Sequence, residues 1–352
     1  MNGGTEVPAQ RAPRLNPALL VTVVVPTLAA DARLQECVTA LERQTLRDFE
    51  VIIVDNSGCG AVRRNGAARG DVRVIEEPRN VGFGAAINEA FRQSHSRYLA
   101  TLNDDAAPHP GWLAALVAAM EARPDAGMCA SQVRLYGEDA LDSAGMLVCG
   151  DGSSKQRGHG RPPKFFPVAE EVLFPSGSAA LYRRAMLEEI GGFDEDFFLY
   201  CEDTDLGLRA RWAGWRCLYA PEAVVEHHYS HSAGRASRLK AYYVERNRLF
   251  VLAKNFPARM LAGAPWVSLA RYAWHLRFML RGRGAAARFR LEGDSAWRMP
   301  FYVLRAHGAL LGSAPALWRK RREIRRTARL APHIYRRLLR SHSISARRVA
   351  EL

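Results

Sequence analysis

The chain has 352 residues, 48% apolar and 24% charged, enough to bury a full core and too apolar for disorder to be its main state. Its six cysteines are scattered without a C-x-x-C pair, which argues against a disulfide frame or zinc ribbon and for reduced thiols in a cytoplasmic compartment. The net charge of +14 is uneven: residues 251–352 hold 22 Lys and Arg against 4 Asp and Glu, while the first 250 hold 28 against 32.

Residues 1–18 are polar and Pro-rich, expected as a disordered tail with no secretory signal. Leu19 to Val25 is a β-branched run ending at Pro26, the pattern of a strand buried on both faces. Helical spacing over Asp31 to Gln44 is followed by a second buried strand, Phe49 to Val54, which ends in Asp55-Asn56-Ser57-Gly58. A short strand over 72–75, a helix over 84–94 and a strand over 98–102 come next, the last ending in Asn103-Asp104-Asp105. A helix over 111–122 completes the alternation. Such an order predicts a doubly wound α/β domain with ligands outside the carboxyl ends of its strands, where Thr27, Asp55 and Asn103 to Asp105 fall.

The next stretch is less regular. A strand over 128–135, a Gly-rich loop or hairpin region over 136–161, a strand over 178–182 and a helix over 184–190 are expected. They are followed by a helix over 203–212, two strand-like pieces at 215–219 and 223–226, and a helix over 238–254. Beyond Pro257 the chain reads as helical and basic. Arg271, His275 and Arg277 interrupt its longest apolar stretch, so no transmembrane helix is expected.

Three acidic groups and one histidine cluster carry the chemistry. Asp55 either accepts hydrogen bonds from a base or ribose at the sheet edge or caps a turn. Adjacent carboxylates at Asp104 and Asp105 repel each other and so either hold a hard cation or are solvated turn residues. Glu202, Asp203 and Asp205 follow the aromatic run Phe197-Phe198-Leu199-Tyr200. A helix cap explains one or two of them, whereas three acids among so many apolar neighbours favour a site with a carboxylate general base. His227-His228-x-x-His231 lacks the Glu of a metalloprotease helix but suits metal or phosphate contact.

In this order, the motifs resemble those of the inverting nucleotide-sugar glycosyltransferases of family 2, in their rhamnosyltransferase-like bacterial branch. The resemblance rests on Val23-Val24-Val25-Pro26-Thr27, Val54-Asp55-Asn56-Ser57, Asn80-Val81-Gly82-Phe83-Gly84-x-x-x-Asn88 and Leu102-Asn103-Asp104-Asp105. It continues through Gly191-Gly192-Phe193-Asp194-Glu195, Glu202-Asp203-Thr204-Asp205-Leu206, His227 to Ser232 and Glu245-Arg246-Asn247-Arg248. It implies a GT-A domain (a Rossmann-like nucleotide-diphospho-sugar transferase fold) over 19–255, followed by a basic helical region over 256–352.

The resemblance also implies roles. Pro26 and Thr27 would edge the nucleotide, Asp55 would contact the base, and Asp104 would lie on the nucleotide-sugar side. Asn80, Gly82 and Asn88 would shape the wall under the ribose and diphosphate. Asp105 would ligate Mg²⁺ or Mn²⁺ with Asn103 and His227, His228 being the fallback. Asp203 would be the base that deprotonates the acceptor hydroxyl, with Glu202 competing for that role. The implied donor is dTDP-rhamnose first and a UDP-sugar second, and the acceptor a cell-envelope polysaccharide or glycolipid.

The Arg-rich end interleaves Leu317, Trp318, Ile324, Tyr335, Leu338 and Leu339 with its charges. That pattern fits a helix on an anionic membrane surface, placing the protein peripherally on the inner face of the cell membrane. A solvated helix packed on the catalytic domain and a self-association surface remain open. An Arg-rich nucleic-acid-binding module beside a non-catalytic α/β domain is the alternative from another class, disfavoured because no recognisable module accompanies it.

Overall fold

The computed structural model describes residues 19–66, 71–228, 238–284 and 298–352. The expected tail over 1–18 and the motif positions His231 and Ser232 lie outside the described residues. In the first half, β1 (Val21–Thr27), β2 (Phe49–Asp55), β3 (Arg73–Glu76), β4 (Tyr98–Leu102), β5 (Ala106–Pro108) and β6 (Ala126–Leu135) alternate with helices. Those helices are α1 (Ala32–Glu42), α2 (Ala61–Arg64), α3 (Phe83–Arg92) and α4 (Trp112–Glu121). Local chemistry sets the ends: the Asp31 carboxylate accepts from the Arg33 and Leu34 amides and starts α1.

The second half holds β7 (Leu141–Ser143), β8 (Met146–Val148), β9 (Ser154–Gln156), β10 (Glu170–Val172), β11 (Ala179–Arg183), α5 (Arg184–Ile190), α6 (Glu202–Trp212), β12 (Arg216–His227) and α7 (Arg238–Asn255). The main sheet runs β10-β12-β6-β11-β4-β1-β2-β3, with β5 on β12 and β7 on β6. β4, β1, β2 and β3 are mutually parallel, as the alternation requires, whereas β11 enters antiparallel between β4 and β6. The two strand-like pieces near 215–226 are one strand, β12, whose register shifts between Ala220 and Val224. Pro221 sits in that irregularity, where its missing N–H interrupts no ladder bond.

The continuous apolar runs follow from burial on both faces. Val21, Val23 and Val25 enter a core with Leu34, Val38 and Leu41 of α1 and Leu113 and Leu116 of α4. Val24, Ile52 and Val54 face the other core, with Ala86, Ile87 and Ala90 of α3 and Leu206 of α6.

The region after Asn255 is helical: α8 (Ala258–Leu261), α9 (Ala264–Leu280), α10 (Met299–Arg326), α11 (Pro332–Ser341) and α12 (Ala346–Glu351). It shares the second core rather than standing off from it. Leu317, Ile324, Tyr335 and Leu339 are buried there, and the Tyr335 ring stacks on Trp212 at 3.7 Å. Arg325 covers the Trp212 ring as well. The apolar residues expected to face a membrane are thus mostly packed on the catalytic body, while Trp318 remains exposed. Among the described residues no helix is long and apolar enough to cross a membrane.

Candidate active site

Parallel pairing brings the carboxyl ends of β1, β2 and β4 to one edge, and the sheet delivers distant residues to the same place. Because β11 is antiparallel to β4, its amino end arrives there, and the Asn103 amide donates to the Ser178 carbonyl. β12 ends beside β5, so His227 pairs in register with Ala106 and the His228 amide donates to the Asp105 carbonyl. The result is a cleft of about 1060 Å³ whose walls include Pro26, Thr27, Asn80, Gly82, Asn103, Asp104, Asp105, Glu202, Asp203 and His227. These are ten of the twelve residues that the motifs assign to the site.

The first cluster centres on His227. Its Nε2 lies 3.1 Å from Asp105 Oδ1 and 3.1 Å from Asn103 Nδ2, and its Nδ1 lies 2.9 Å from Asp142 Oδ2. Burial alone would lower the imidazole pKa, but the bonds to Asp105 and Asp142 outweigh it and push the pKa up to about 10. Burial likewise opposes ionisation of Asp142, yet His159 and His227 hold that carboxyl down at about 2. Asp104 differs: burial pushes its pKa up to about 6, and its Oδ2 lies 2.7 Å from the Thr27 hydroxyl.

This donor set fits a divalent cation. A carboxylate and an imidazole converge; a metal at His227 Nε2 would take the place of the proton now shared with Asp105, and Asp142 on the far ring nitrogen would orient the ring. Among the described residues no group of three His, Cys, Asp or Glu is arranged to hold a metal. The fallback His228 turns elsewhere: it stacks on Tyr136 at 3.8 Å and pairs with Glu36 at 3.0 Å.

The second cluster is the start of α6. Asp203 Oδ2 accepts from the Gly177 amide at 3.0 Å, and its Oδ1 accepts from the Thr204 amide at 2.6 Å. Burial raises its pKa despite these bonds. Glu202 is raised further, to about 8, by burial and then by the Asp203 charge, and its Oε2 is buried without a partner. Asp205 is committed to internal pairs with Arg209 at 2.8 Å and Lys254 at 2.8 Å and takes no part in the cleft.

A carboxyl whose folded pKa lies above its unfolded value destabilises the fold as pH rises between the two. For Glu202 that window runs from 4.5 to about 8. Glu202→Gln is therefore expected to raise the thermal midpoint at pH 8 and leave it unchanged near pH 4, measured by calorimetry across that range.

The acids follow a backbone stretch that few residues tolerate: Phe198, Tyr200 and Cys201 have φ of 61°, 69° and 64°. Asn247 of α7 holds it in place. Its side-chain Nδ2 lies 2.9, 2.8 and 2.7 Å from the carbonyls of Phe197, Leu199 and Tyr200, and Arg246 donates to Asp196 and Phe197. On the other side the Phe83 amide donates to the Phe198 carbonyl, and a Cβ at Gly82 would come within 2.2 Å of that oxygen. The Glu-Arg-Asn-Arg motif signalled this element, but only the fold gives it a task. Asn247→Ala is expected to cost roughly 2–4 kcal/mol by orphaning buried carbonyls and to lower kcat more than it raises the donor KM.

Two residues expected at the site do not line the cleft. Asp55 is buried, with its carboxylate accepting from the Ser57 amide at 2.9 Å and the Val62 amide at 2.8 Å, so it caps the turn; Asn56, the next residue, lines the cleft. Asn88 is absent from the wall because its amide is bonded to the Phe193 backbone at both ends and to Glu195. It braces the Phe193-Asp194-Glu195 segment beneath the acids. Asp142 carries no motif signal; it reaches His227 only because β7 pairs with β6.

Residues 22–191 match the family described as Glycosyl transferase family 2. The chain is 29% identical over 293 residues to the N-acetylglucosaminyl-diphospho-decaprenol L-rhamnosyltransferase of Mycobacterium tuberculosis, covering 74% of this chain and 93% of that one. It is 25% identical to the O-antigen chain rhamnosyltransferase WbaN of Salmonella anatum, covering 60% and 67%. Its fold is similar to that of GalNAc-T7 solved with UDP, GalNAc and Mn²⁺, with a TM-score of 0.58 at 15% identity, covering 72% of this chain and 51% of that one. The sheet with its edge cluster, the ordered motifs and these matches agree: residues 22–191 carry a glycosyl transferase family 2 domain, and the chain is similar to the rhamnosyltransferases of that family, on a GT-A fold with a helical C-terminal region.

Proposed function

We propose that this enzyme transfers a sugar, L-rhamnose from its dTDP donor first and a sugar from a UDP donor second, to a hydroxyl of a lipid-linked or polymeric cell-envelope saccharide, inverting the anomeric carbon. The observation that carries the reading is one cleft shared by two separate acidic clusters, Asp105 with His227 and Asp203 with Glu202. The names of the mycobacterial and Salmonella relatives support rhamnose, and the mycobacterial name supports a diphospho-lipid acceptor.

Asp105 and His227, with Asn103 beside them, would hold Mg²⁺ or Mn²⁺, which when bound neutralises the diphosphate as it departs. Thr27 and Pro26 border the nucleotide side, and Asn80 and Gly82 shape the wall there. Asp203 takes the proton of the acceptor hydroxyl while its oxygen attacks the anomeric carbon; the bond to the diphosphate oxygen breaks and the electron pair leaves with the diphosphate. Glu202 keeps its own proton near neutrality, which favours Asp203 as the base. A peripheral position on the inner membrane face follows from a lipid-linked acceptor. The family match and the transferase names of the relatives favour this reading over an Arg-rich nucleic-acid-binding role.

The test is turnover of a panel of nucleotide sugars with Mg²⁺, Mn²⁺ or chelator and a short lipid-diphospho-N-acetylglucosamine acceptor. Metal-dependent transfer of one sugar with inverted configuration upholds the reading. Absence of both binding and turnover for every donor overturns it.

A further inference from the structure

Two helices of the C-terminal region turn apolar faces to solvent. On α9, Trp266, Leu269, Leu276 and Leu280 recur at helical spacing, with Trp266 at 73% exposure and Leu280 at 77%. On α10, Phe301, Leu304, Leu311 and Trp318 do the same, Leu311 at 75%. These are not the packing faces, because Ser268, Arg271 and Phe278 of α9 and Tyr302, Ala306 and Leu317 of α10 are the buried positions.

The charge beside the stripes is almost all of one sign. Exposed Arg277 and Arg281 border the first, and exposed Arg305, Arg319 and Arg322 border the second. α9 has no acid, and the only acid of α10 is Glu323. Exposed apolar faces of this kind mark contact surfaces, and Trp and Leu flanked by Arg suit the interface of an anionic bilayer.

A separate observation joins this face to the chemistry. The cleft that holds Asp203 continues to Leu276 and Met279 of α9 and to Met299 and Leu304 of α10. Leu276 and Leu304 are therefore at once cavity wall and part of the exposed stripes.

We propose that the α9–α10 face seats on an anionic bilayer and that the catalytic cleft opens onto it at Leu276 and Leu304, so that an acceptor's lipid chain stays in the membrane while its sugar hydroxyl reaches Asp203. The acceptor half rests on the transferase reading above; the docking half does not. Arg side chains meet the headgroups, and the apolar stripes replace water contact with acyl-chain contact.

The test uses the full chain and flotation with vesicles of mixed phosphatidylcholine and phosphatidylglycerol. Binding is expected, weakened by salt, and reduced at least ~10-fold by Trp266→Ser/Leu269→Ser/Leu311→Ser, whose exposed positions leave the thermal midpoint in place. No binding of the wild type overturns the docking face. Assembly into a homo-oligomer that these substitutions break, without vesicle binding, also overturns it and assigns the face to a second copy. In the same vesicles Leu304→Glu should lower the kcat/KM ratio of a long-chain over a short-chain acceptor by ~10-fold, and an unchanged ratio overturns the opening. Vesicle binding with no donor turned over upholds the docking face and counts against the transferase reading.

Discussion

Asp203→Asn is expected to lower the transfer rate by about 10²–10⁴-fold, the usual contribution of a positioned general base, while nucleotide-sugar binding survives. The amide oxygen of Asn can still accept from one of the two backbone amides, Gly177 or Thr204, but not from both, so circular dichroism and donor binding must show that the start of α6 keeps its geometry. Single-turnover kinetics with donor titration separate the two effects. Since burial raises the Asp203 pKa, the acid limb of wild-type kcat should lie above the ordinary carboxylate range. Below that limb the base is protonated and transfer fails; above it the carboxylate is available. Should Asp203→Asn transfer normally while Glu202→Gln does not, the base is Glu202.

The second large effect is expected at the other end of the cleft. Asp105→Asn should reduce transfer by roughly 10²–10³-fold, the scale of removing one preorganised group that stabilises a leaving charge, and should raise the Mn²⁺ concentration needed for half-maximal activity. Asn is preferred to Ala because Asp105 is also the ion-pair partner of a buried imidazole. Stripping that partner outright risks a folding defect of about 3–5 kcal/mol. Activity against metal concentration, with chelator as the zero point, distinguishes lost affinity from lost catalysis. A chelator-insensitive wild type would remove the metal from the scheme.

The two experiments probe groups of unequal legibility. The strands carrying Thr27 and Asn103 to Asp105 were readable because their valine-, isoleucine- and leucine-rich runs are buried on both faces and stop at polar residues. Hydrophobic period and stop signals are local properties, and so are the left-handed Gly191 after α5 and the Asp31 cap of α1. The order of the motifs was enough to name the family and to assign Asp105, His227 and Asp203 to one site.

The two expected site residues that do not line the cleft, Asp55 and Asn88, lie apart from it for a shared reason. Asp55 and Asn88 have the residue types of ligand contacts, but whether a carboxylate or amide faces a cleft or the backbone depends on which amides surround it. In this fold Ser57 and Val62 surround Asp55, and Phe193, more than a hundred residues away in the chain, surrounds Asn88. The basic end shows the same limit. Its interleaved apolar residues signal an amphipathic helix equally well whether the apolar side meets a membrane or a protein. Trp212 and Tyr335 decided for the protein over α11, leaving α9 and the front of α10 with the exposed stripes.

By itself, then, the sequence determined the alternation of strands and helices, the acids at the strand ends and the family, because each is written in residues close together. Tertiary structure alone decided that Asp142 stands behind His227, that Asn247 clamps the turn before Asp203, and that Asp205 belongs to the core. Those roles depend on strand pairing and helix packing across long separations, where no local pattern constrains which side chains meet.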